Sequence, residues 1–91
     1  MPLFYFDVRE GVRFVPDDTG AEFPDLGAAE REAAEAAASI GRDLLPTGCA
    51  RSVTVEVRNT HGQRVVTATV TLALDRVDPE PSPPLKLVKG D

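Results

Sequence analysis

The acidic segment at positions 17–35 contains the residues of this chain that come nearest to a chemical site. Its seven carboxylates, with Arg31 as the one base among them, are Asp17, Asp18, Glu22, Asp25, Glu30, Glu32 and Glu35. Calcium and magnesium bind where several carboxylate oxygens converge. Here "DDTGAEFPD" lacks the alternating oxygen ligands of a calcium loop, and the three later glutamates do not converge on one helical turn. The spacing therefore favours a solvated helix face and a capping loop. Divalent-cation-dependent activity of segment 17–35 is the weaker alternative.

The single histidine and the single cysteine are the other candidates for chemistry. His61 lies in "NTHG", which is typical of a turn, and a general base needs a partner and a pocket. Cys49 has Arg51 nearby, which favours a thiolate, but no second cysteine can pair with it. We therefore expect a turn role for His61 and a small, partly buried apolar role for Cys49. No catalytic residue, cofactor or metal ligand is predicted.

The charge of the chain restricts its partners. The formal net charge is −5, which repels phosphate backbones and disfavours nucleic-acid binding. No apolar run reaches the 18 residues of a membrane span, and no secretory signal pattern is present. A lone cysteine is typical of a reducing compartment. The sequence thus predicts a cytoplasmic protein that binds proteins, with neither nucleic acid nor membrane as a partner.

Two segments are predicted to form β-hairpins. "PLFYFDV" places Phe4, Phe6 and Val8 on one face, and a three-residue loop with Gly11 left-handed would pair Val8 with Val12 and Phe6 with Phe14. "SVTVEV" and "QRVVTATVTLAL" form the second hairpin. There, a four-residue loop with Gly62 left-handed would pair Val55 with Val66 and Val53 with Ala68.

The segment between the hairpins is predicted to be an amphipathic helix. Asp25 is suited to the N-cap because its carboxylate accepts from free amides of the first turn. The helix is expected to run to about Leu45, where Pro46 and Gly48 end it. Its predicted apolar stripe is Leu26, Ala29, Ala33, Ala36/Ala37, Ile40 and Leu44.

The order ββαββ predicts an α+β two-layer sandwich in which one helix packs on one face of a four-stranded antiparallel sheet. The domain is expected to cover residues 1–74. Residues 75–91 contain four closely spaced prolines and are expected to form a disordered tail, with "PSPP" compatible with polyproline recognition. If the helix covers the phenylalanine face, the open face would carry an apolar strip. This candidate interface is Leu3, Tyr5, Val15 and Val65.

Four segments together resemble a known family. They are "FYFD", the turn "REG", "PDDTGAEFPDL" before an alanine-rich helix, and "VEVRNTHGQRV" after it. This pattern, over roughly residues 1–74, resembles small bacterial proteins labelled domain of unknown function 6894. "REG" stands where Asp-Gly is expected and "NTHG" where an acidic turn is expected, but both glycines are kept. The resemblance implies no activity, cofactor or catalytic residue.

A second resemblance is limited to "FPDLGAAEREAAEAA", which is similar to the corresponding segment of HicB-type antitoxins. The DNA-binding segment that often follows in such antitoxins is absent, because the proline-rich tail occupies its place. The sequence therefore predicts, first, a non-catalytic protein-interaction module, as a homodimer or with another protein, joined through an edge strand or the open sheet face. The alternative is an antitoxin-like regulator that binds a basic partner protein.

Overall fold

The computed structural model describes residues 1–78 and has one helix on one face of an antiparallel sheet. The elements in chain order are β1 (Leu3–Glu10), β2 (Arg13–Val15), β3 (Ala21–Glu22), α1 (Leu26–Leu44), a 3₁₀ turn (Leu45–Thr47), β4 (Ser52–Arg58) and β5 (Arg64–Thr71). The predicted α+β class with one helix is confirmed. The sheet has five strands instead of four, because the two-residue β3 also pairs with β1.

The sheet order is β2-β1-β4-β5, so β1 and β4 are central. β3 pairs with Leu3 and Phe4 at the start of β1, and β2 pairs with residues 8–10 at its end. The two short strands therefore divide the outer edge of β1 between them. Residues 16–20 cross the gap between them.

The core lies between α1 and one face of the sheet. The sheet contributes Phe4, Val55 and Val57, and the helix contributes Ala29, Ala33 and Ala37, all buried. Because alanine side chains are short, the helix axis lies close to the strands. At Gly41 the approach is closer still, since a Cβ there would lie 3.1 Å from Cγ1 of Val70.

The predicted apolar stripe of the helix is confirmed at Ala29, Ala33 and Ala37, but the prediction that Leu26 belongs to it was wrong. Leu26 is 46% exposed and does not reach the core. The stripe continues instead through Gly41 toward Leu45, both buried.

The ends of α1 follow the sequence prediction. Asp25 accepts a hydrogen bond from the Ala28 amide at 2.8 Å, as an N-cap does. After Leu44 the chain continues as the 3₁₀ turn through Pro46. Gly48 then adopts φ 81°, and its amide donates to the Leu45 carbonyl at 3.1 Å. The left-handed glycine ends the turn and directs the chain into β4.

The first hairpin forms with a register that differs from the prediction. Gly11 has φ 64°, as expected, but only residues 11–12 connect the strands, and Val8 pairs with Val15 instead of Val12. A two-residue loop with glycine first matches the twist of the strands. Phe14 consequently pairs with Arg9 and not with Phe6. The Arg9 guanidinium carbon lies 4.6 Å from the Phe14 ring centre, which compensates for the lost apolar pair.

The second hairpin also has a register that the sequence did not predict. Val57 pairs with Val66, and Val55 pairs with Ala68. Residues 59–63 form the connection, in which Oδ1 of Asn59 accepts from the amides of His61 and Gln63 at 2.9 and 3.0 Å. Gly62 has φ 77°, as predicted. The Asn59 amide also donates to the Gln63 carbonyl at 2.9 Å, so the side chain and the backbone of Asn59 together hold this connection.

Beyond β5 the described chain has no regular secondary structure, and residues 71–78 are exposed. The predicted disorder and polyproline character of residues 79–91 lie outside the described residues. Within residues 1–78, no helix has the length and apolar character needed to cross a bilayer.

Candidate functional site

A buried carboxylate lies on the face of the sheet that α1 leaves open. Asp7, in the middle of β1, is only 4% exposed. Arg58, the last residue of β4, binds it with both branches of its guanidinium: Nε donates to Oδ2 at 2.6 Å and Nη2 donates to Oδ1 at 3.1 Å. The Arg58 guanidinium carbon also lies 5.0 Å from the centre of the Tyr5 ring. This bidentate arrangement is the strongest form of a carboxylate–arginine pair.

The same pair holds the connection between β2 and β3. Nη2 of Arg58 donates to the Asp17 carbonyl at 2.9 Å, and the Asp17 amide donates to Oδ1 of Asp7 at 2.9 Å. Asp17 therefore binds the Asp7–Arg58 pair through its backbone alone. Its side chain is free to bond elsewhere.

The Asp17 carboxylate takes the place of a strand at the edge of β1. Oδ2 accepts from the Phe6 amide at 3.0 Å, in the gap that β2 and β3 leave uncovered. Oδ1 accepts from the amides of Thr19 and Gly20 at 3.0 and 3.1 Å. A side chain thus satisfies an edge amide that would otherwise face solvent or a second chain.

These contacts shift the protonation equilibria of the cluster. The Arg58 hydrogen bonds hold the pKa of Asp7 below its ordinary value, although burial acts in the opposite direction. Desolvation raises the pKa of Asp17, but three backbone amides and Arg58 outweigh it, so that pKa is also lowered. The hydrogen bond to Asp7 raises the pKa of Arg58. All three groups are therefore charged at neutral pH, and both carboxylates are committed to donors instead of being poised to accept a proton.

A second charged group lies beside the first. Glu56 of β4 pairs directly with Asp7 of β1 across the sheet. Its carboxylate lies 3.6 Å from Nε of Arg9 and 3.5 Å from Nη2 of Arg64. Two like charges opposite each other are unfavourable, and the three arginines offset that repulsion. In this region the open face therefore carries several neighbouring ion pairs.

The open face does not carry the predicted apolar strip. Leu3 and Tyr5 lie on it, half-buried, and a Cβ on Gly20 would come within 3.2 and 3.1 Å of their side chains. Val15 pairs with Val8, which places it on the helix side. Val65 packs against the core, because β5 has a bulge opposite Val57 and Arg58. This bulge interrupts the alternation of side chains between the two faces of the sheet. The predicted placement of Val15 and Val65 on the open face was therefore wrong.

The remaining sequence candidates are separated from this cluster. His61 is exposed in the connection between β4 and β5, and Cys49 is exposed, so the prediction of a partly buried Cys49 was wrong. Of the acidic segment, Glu30, Glu32 and Glu35 are exposed. Over residues 1–78, no three potential metal ligands form a group.

The outer edge of β5 has no strand partner in the described part of the chain. The direction of its amides follows from β1. The Phe6 amide points away from β4 and donates to Asp17. Val57, which lies opposite Phe6, therefore points its own amide away from β1 and toward β5, where Val57 pairs with Val66. Alternation then turns the backbone groups of Thr67, Thr69 and Thr71 outward. The free edge thus presents a regular series of donors and acceptors that no residue of positions 1–78 pairs with.

An apolar hollow of about 280 Å³ lies between the end of α1 and this edge. It is lined by Ala38, Gly41, Arg42, Leu45, Pro46, Val70, Thr71 and Leu72. Arg42 is the only charged residue in that lining. The backbone edge and the apolar surface beside it form a continuous feature of the molecule.

Sequence reasoning missed the Asp7–Arg58–Asp17 cluster. Asp7 and Arg58 are 51 positions apart, so no local pattern joins them. One signal was present, because an aspartate inside an aromatic strand needs a partner when it is buried. The free edge was expected only in general terms, as an edge strand that must be managed.

The chain matches a known family of domains. A family model described as Domain of unknown function (DUF6894) matches residues 3–71. This range begins with the first residue of β1 and ends with the last residue of β5. Neither a curated protein nor a solved structure matches the chain.

Proposed function

The chain belongs to this family of domains of unknown function, and from that premise we propose that it is a non-catalytic protein-interaction module. It binds an extended strand of a protein partner at the outer edge of β5. The observation that carries the proposal is the row of outward backbone groups at Thr67, Thr69 and Thr71, which no described residue covers. Strand addition uses such groups for affinity and neighbouring pockets for side chains. The apolar hollow beside Val70 and Leu72 is such a pocket.

The other edge of the sheet supports this assignment. Along β1, two short strands and the Asp17 carboxylate cover the outer side. Such devices protect an edge from pairing with another chain. β5 is eight residues long, its bulge lies near its first residues, and no strand or carboxylate of the described chain covers Thr67, Thr69 and Thr71, which favours an edge kept open for a partner.

The chemistry of the cluster supports a non-catalytic role. Asp7 and Asp17 are ionised and bound to donors, and Arg58 is bound to both residues. Their combined effect is to fix residues 16–20 against β1. We place the protein in the cytoplasm as part of the same proposal, since its single cysteine is exposed and unpaired in the described chain.

Site-specific photo-cross-linking in cells tests the proposed edge. A photoreactive phenylalanine analogue replaces Thr71 in one variant and Arg31, on the exposed side of α1, in a matched control. We expect a cross-linked protein product from position 71 and none from position 31, with the product identified by mass spectrometry. Adding Thr67→Pro should abolish it, because proline removes an outward amide. Equal products from both positions, or none from position 71, would overturn the proposal.

A further inference from the structure

We infer that the strand covering the β5 edge belongs to a second copy of this chain, paired antiparallel with the first β5 about a two-fold axis. This inference rests on the proposed function and names its partner.

The β5 edge carries almost no charge, whereas the protein as a whole is negatively charged. Residues 65–74, "VVTATVTLAL", contain no charged residue, although the chain carries a formal net charge of −5. A second copy brings the same neutral strip, so no like charges are opposed along the pairing. Like charges directly opposite each other would destabilise such a ladder. Arg64, the first charged residue, lies at the start of the strand.

The two faces of β5 are also self-complementary. Thr67, Thr69 and Thr71 share the open face, while Val66, Ala68 and Val70 share the helix face. With the axis at Thr69, Thr67 lies opposite Thr71 of the second copy. The outward amides of Thr67, Thr69 and Thr71 are then hydrogen-bonded in both copies. A two-fold axis perpendicular to the sheet places the open faces of both copies on the same side. Threonine side chains therefore lie beside threonines, and the apolar side chains of the helix face lie beside apolar ones.

This register also fills the apolar hollow. Ala68 of the second copy lies beside Val70, and its Val66 lies beside Leu72. Both Val70 and Leu72 line the hollow next to Leu45. The pairing therefore adds apolar burial to the backbone hydrogen bonds. Two symmetry-related hollows are filled in the same way, as an isologous interface requires.

The assembly ends at two copies. The joined sheet would run β2-β1-β4-β5 and then through the second copy in reverse order. Each of its outer edges would consist of the short strands β2 and β3, with the Asp17 carboxylate on the Phe6 amide in the gap between them. Because the described edges that remain are only two and three residues long, they resist pairing with a further copy, and the dimer does not extend into a filament.

Sedimentation velocity on the full chain, from 10 µM to 1 mM, tests the inference. We expect the wild type to sediment as a dimer of the 9.7 kDa chain. Thr67→Pro should weaken the dimer at least tenfold, because it removes an outward amide and no bond to β4. The matched variant Thr67→Val keeps that amide and should remain dimeric. Circular dichroism checks that each variant is folded.

A cross-linking measurement tests the register, and it does not depend on the proline variant folding. In a Cys49→Ser background, Thr69→Cys should be joined to a second copy by a short bismaleimide. Thr54→Cys, on the same face but one strand inward, should not be joined. Equal cross-linking at both positions would overturn the register.

The outcomes separate the inference from the proposal on which it rests. A wild type that stays monomeric at 1 mM overturns the second copy as partner. The proposed function would then stand if position 71 cross-links to a different protein in cells. A dimer that Thr67→Pro leaves intact, without cross-linking at position 69, overturns the β5 edge for self-association.

Discussion

The two edges of this sheet have opposite characters. At the β1 edge, a side chain takes up a backbone hydrogen-bonding group. The Asp17 carboxylate accepts from the Phe6 amide, and Arg58 of β4 donates to the Asp17 carbonyl. At the β5 edge, the chain is uncharged over residues 65–74, and no described residue covers its outward amides. One edge is closed by side-chain chemistry, and the other is available for pairing.

The difference shows how a small domain directs association to one side. A carboxylate with lowered pKa at an edge amide excludes a competing strand, because that strand would have to displace a charge-assisted hydrogen bond. A neutral strand beside an apolar hollow has no such barrier. Changes at the β1 edge should therefore cost more stability than changes at the β5 edge.

The largest effect is expected from Asp7→Ala. This change leaves Arg58 and the Asp17 amide without their buried acceptor, and breaking a buried ion pair from one side should lower the free energy of unfolding by about 3 kcal/mol. Urea unfolding monitored by circular dichroism measures it. Glu10→Ala, on the same strand, removes a more exposed ion pair with Arg13 at 4.0 Å and should cost less than about 1 kcal/mol. Similar losses in both variants would mean that Asp7 does not secure this edge.

Asp17→Ala should have the next largest effect, about 2 kcal/mol, because it leaves the Phe6 amide and two loop amides without their acceptor. Hydrogen exchange should show a faster Phe6 amide, while the Val57 amide between β4 and β5 stays protected. Asp18→Ala is the matched control. Among residues 1–78, its carboxylate accepts a hydrogen bond only from the Thr19 hydroxyl, at 3.4 Å, so stability and exchange should change little. An unchanged Phe6 amide in Asp17→Ala would contradict the closed edge.

Acid should weaken the β1 edge by a smaller amount than either substitution, because a protonated carboxyl keeps part of its hydrogen bonding. The pKa values of Asp7 and Asp17 are lowered from 3.8, so both stabilise the fold above pH 3.8. That stability is lost as the pH falls through the lower pKa values of the folded state. Urea unfolding between pH 7 and pH 2 measures the decline. Asp17→Asn should make it shallower, and an identical pH profile would show that Asp17 does not contribute.

The smallest effect is expected near the β5 edge. The hydroxyls of Thr54 and Thr69 share a hydrogen bond of 3.0 Å that is exposed to water. Thr69→Val should therefore lower the free energy of unfolding by about 0.5 kcal/mol. Thr67→Val is the control on the same face of the strand. A loss in Thr69→Val as large as that in Asp17→Ala would mean that both edges depend on polar side chains, and the comparison between them would fail.

Local features of the sequence predicted the elements well. Asp25 caps α1, the buried alanines follow the helical repeat, and Gly11 and Gly62 have positive φ. Each depends on residues within a few positions, which a local pattern can capture. The predicted registers combined apolar pairing with an assumed loop length and a left-handed glycine. They failed because the observed connections span residues 11–12 and 59–63, which shifts the pairing in both hairpins.

The candidate site was predicted less well, for a related reason. The assignment of Val65 to the open face assumed strict alternation, and one bulge in β5 moved it to the core side. The assignment of Val15 failed with the hairpin register. A change of a single residue in register exchanges the two faces of a strand, so small local errors alter an entire predicted surface.

The sequence by itself determined the α+β class, the order of the two hairpins and the helix between them, and the lack of charged residues at positions 65–74, because periodicity and composition are properties of the chain. Only the tertiary structure decided that Asp7, Asp17 and Arg58 meet and close one edge of the sheet. Their contacts join β1, the loop after β2 and the end of β4, and two of those segments lie more than 40 positions from the third. Such a meeting depends on strand order and register, which long-range packing sets.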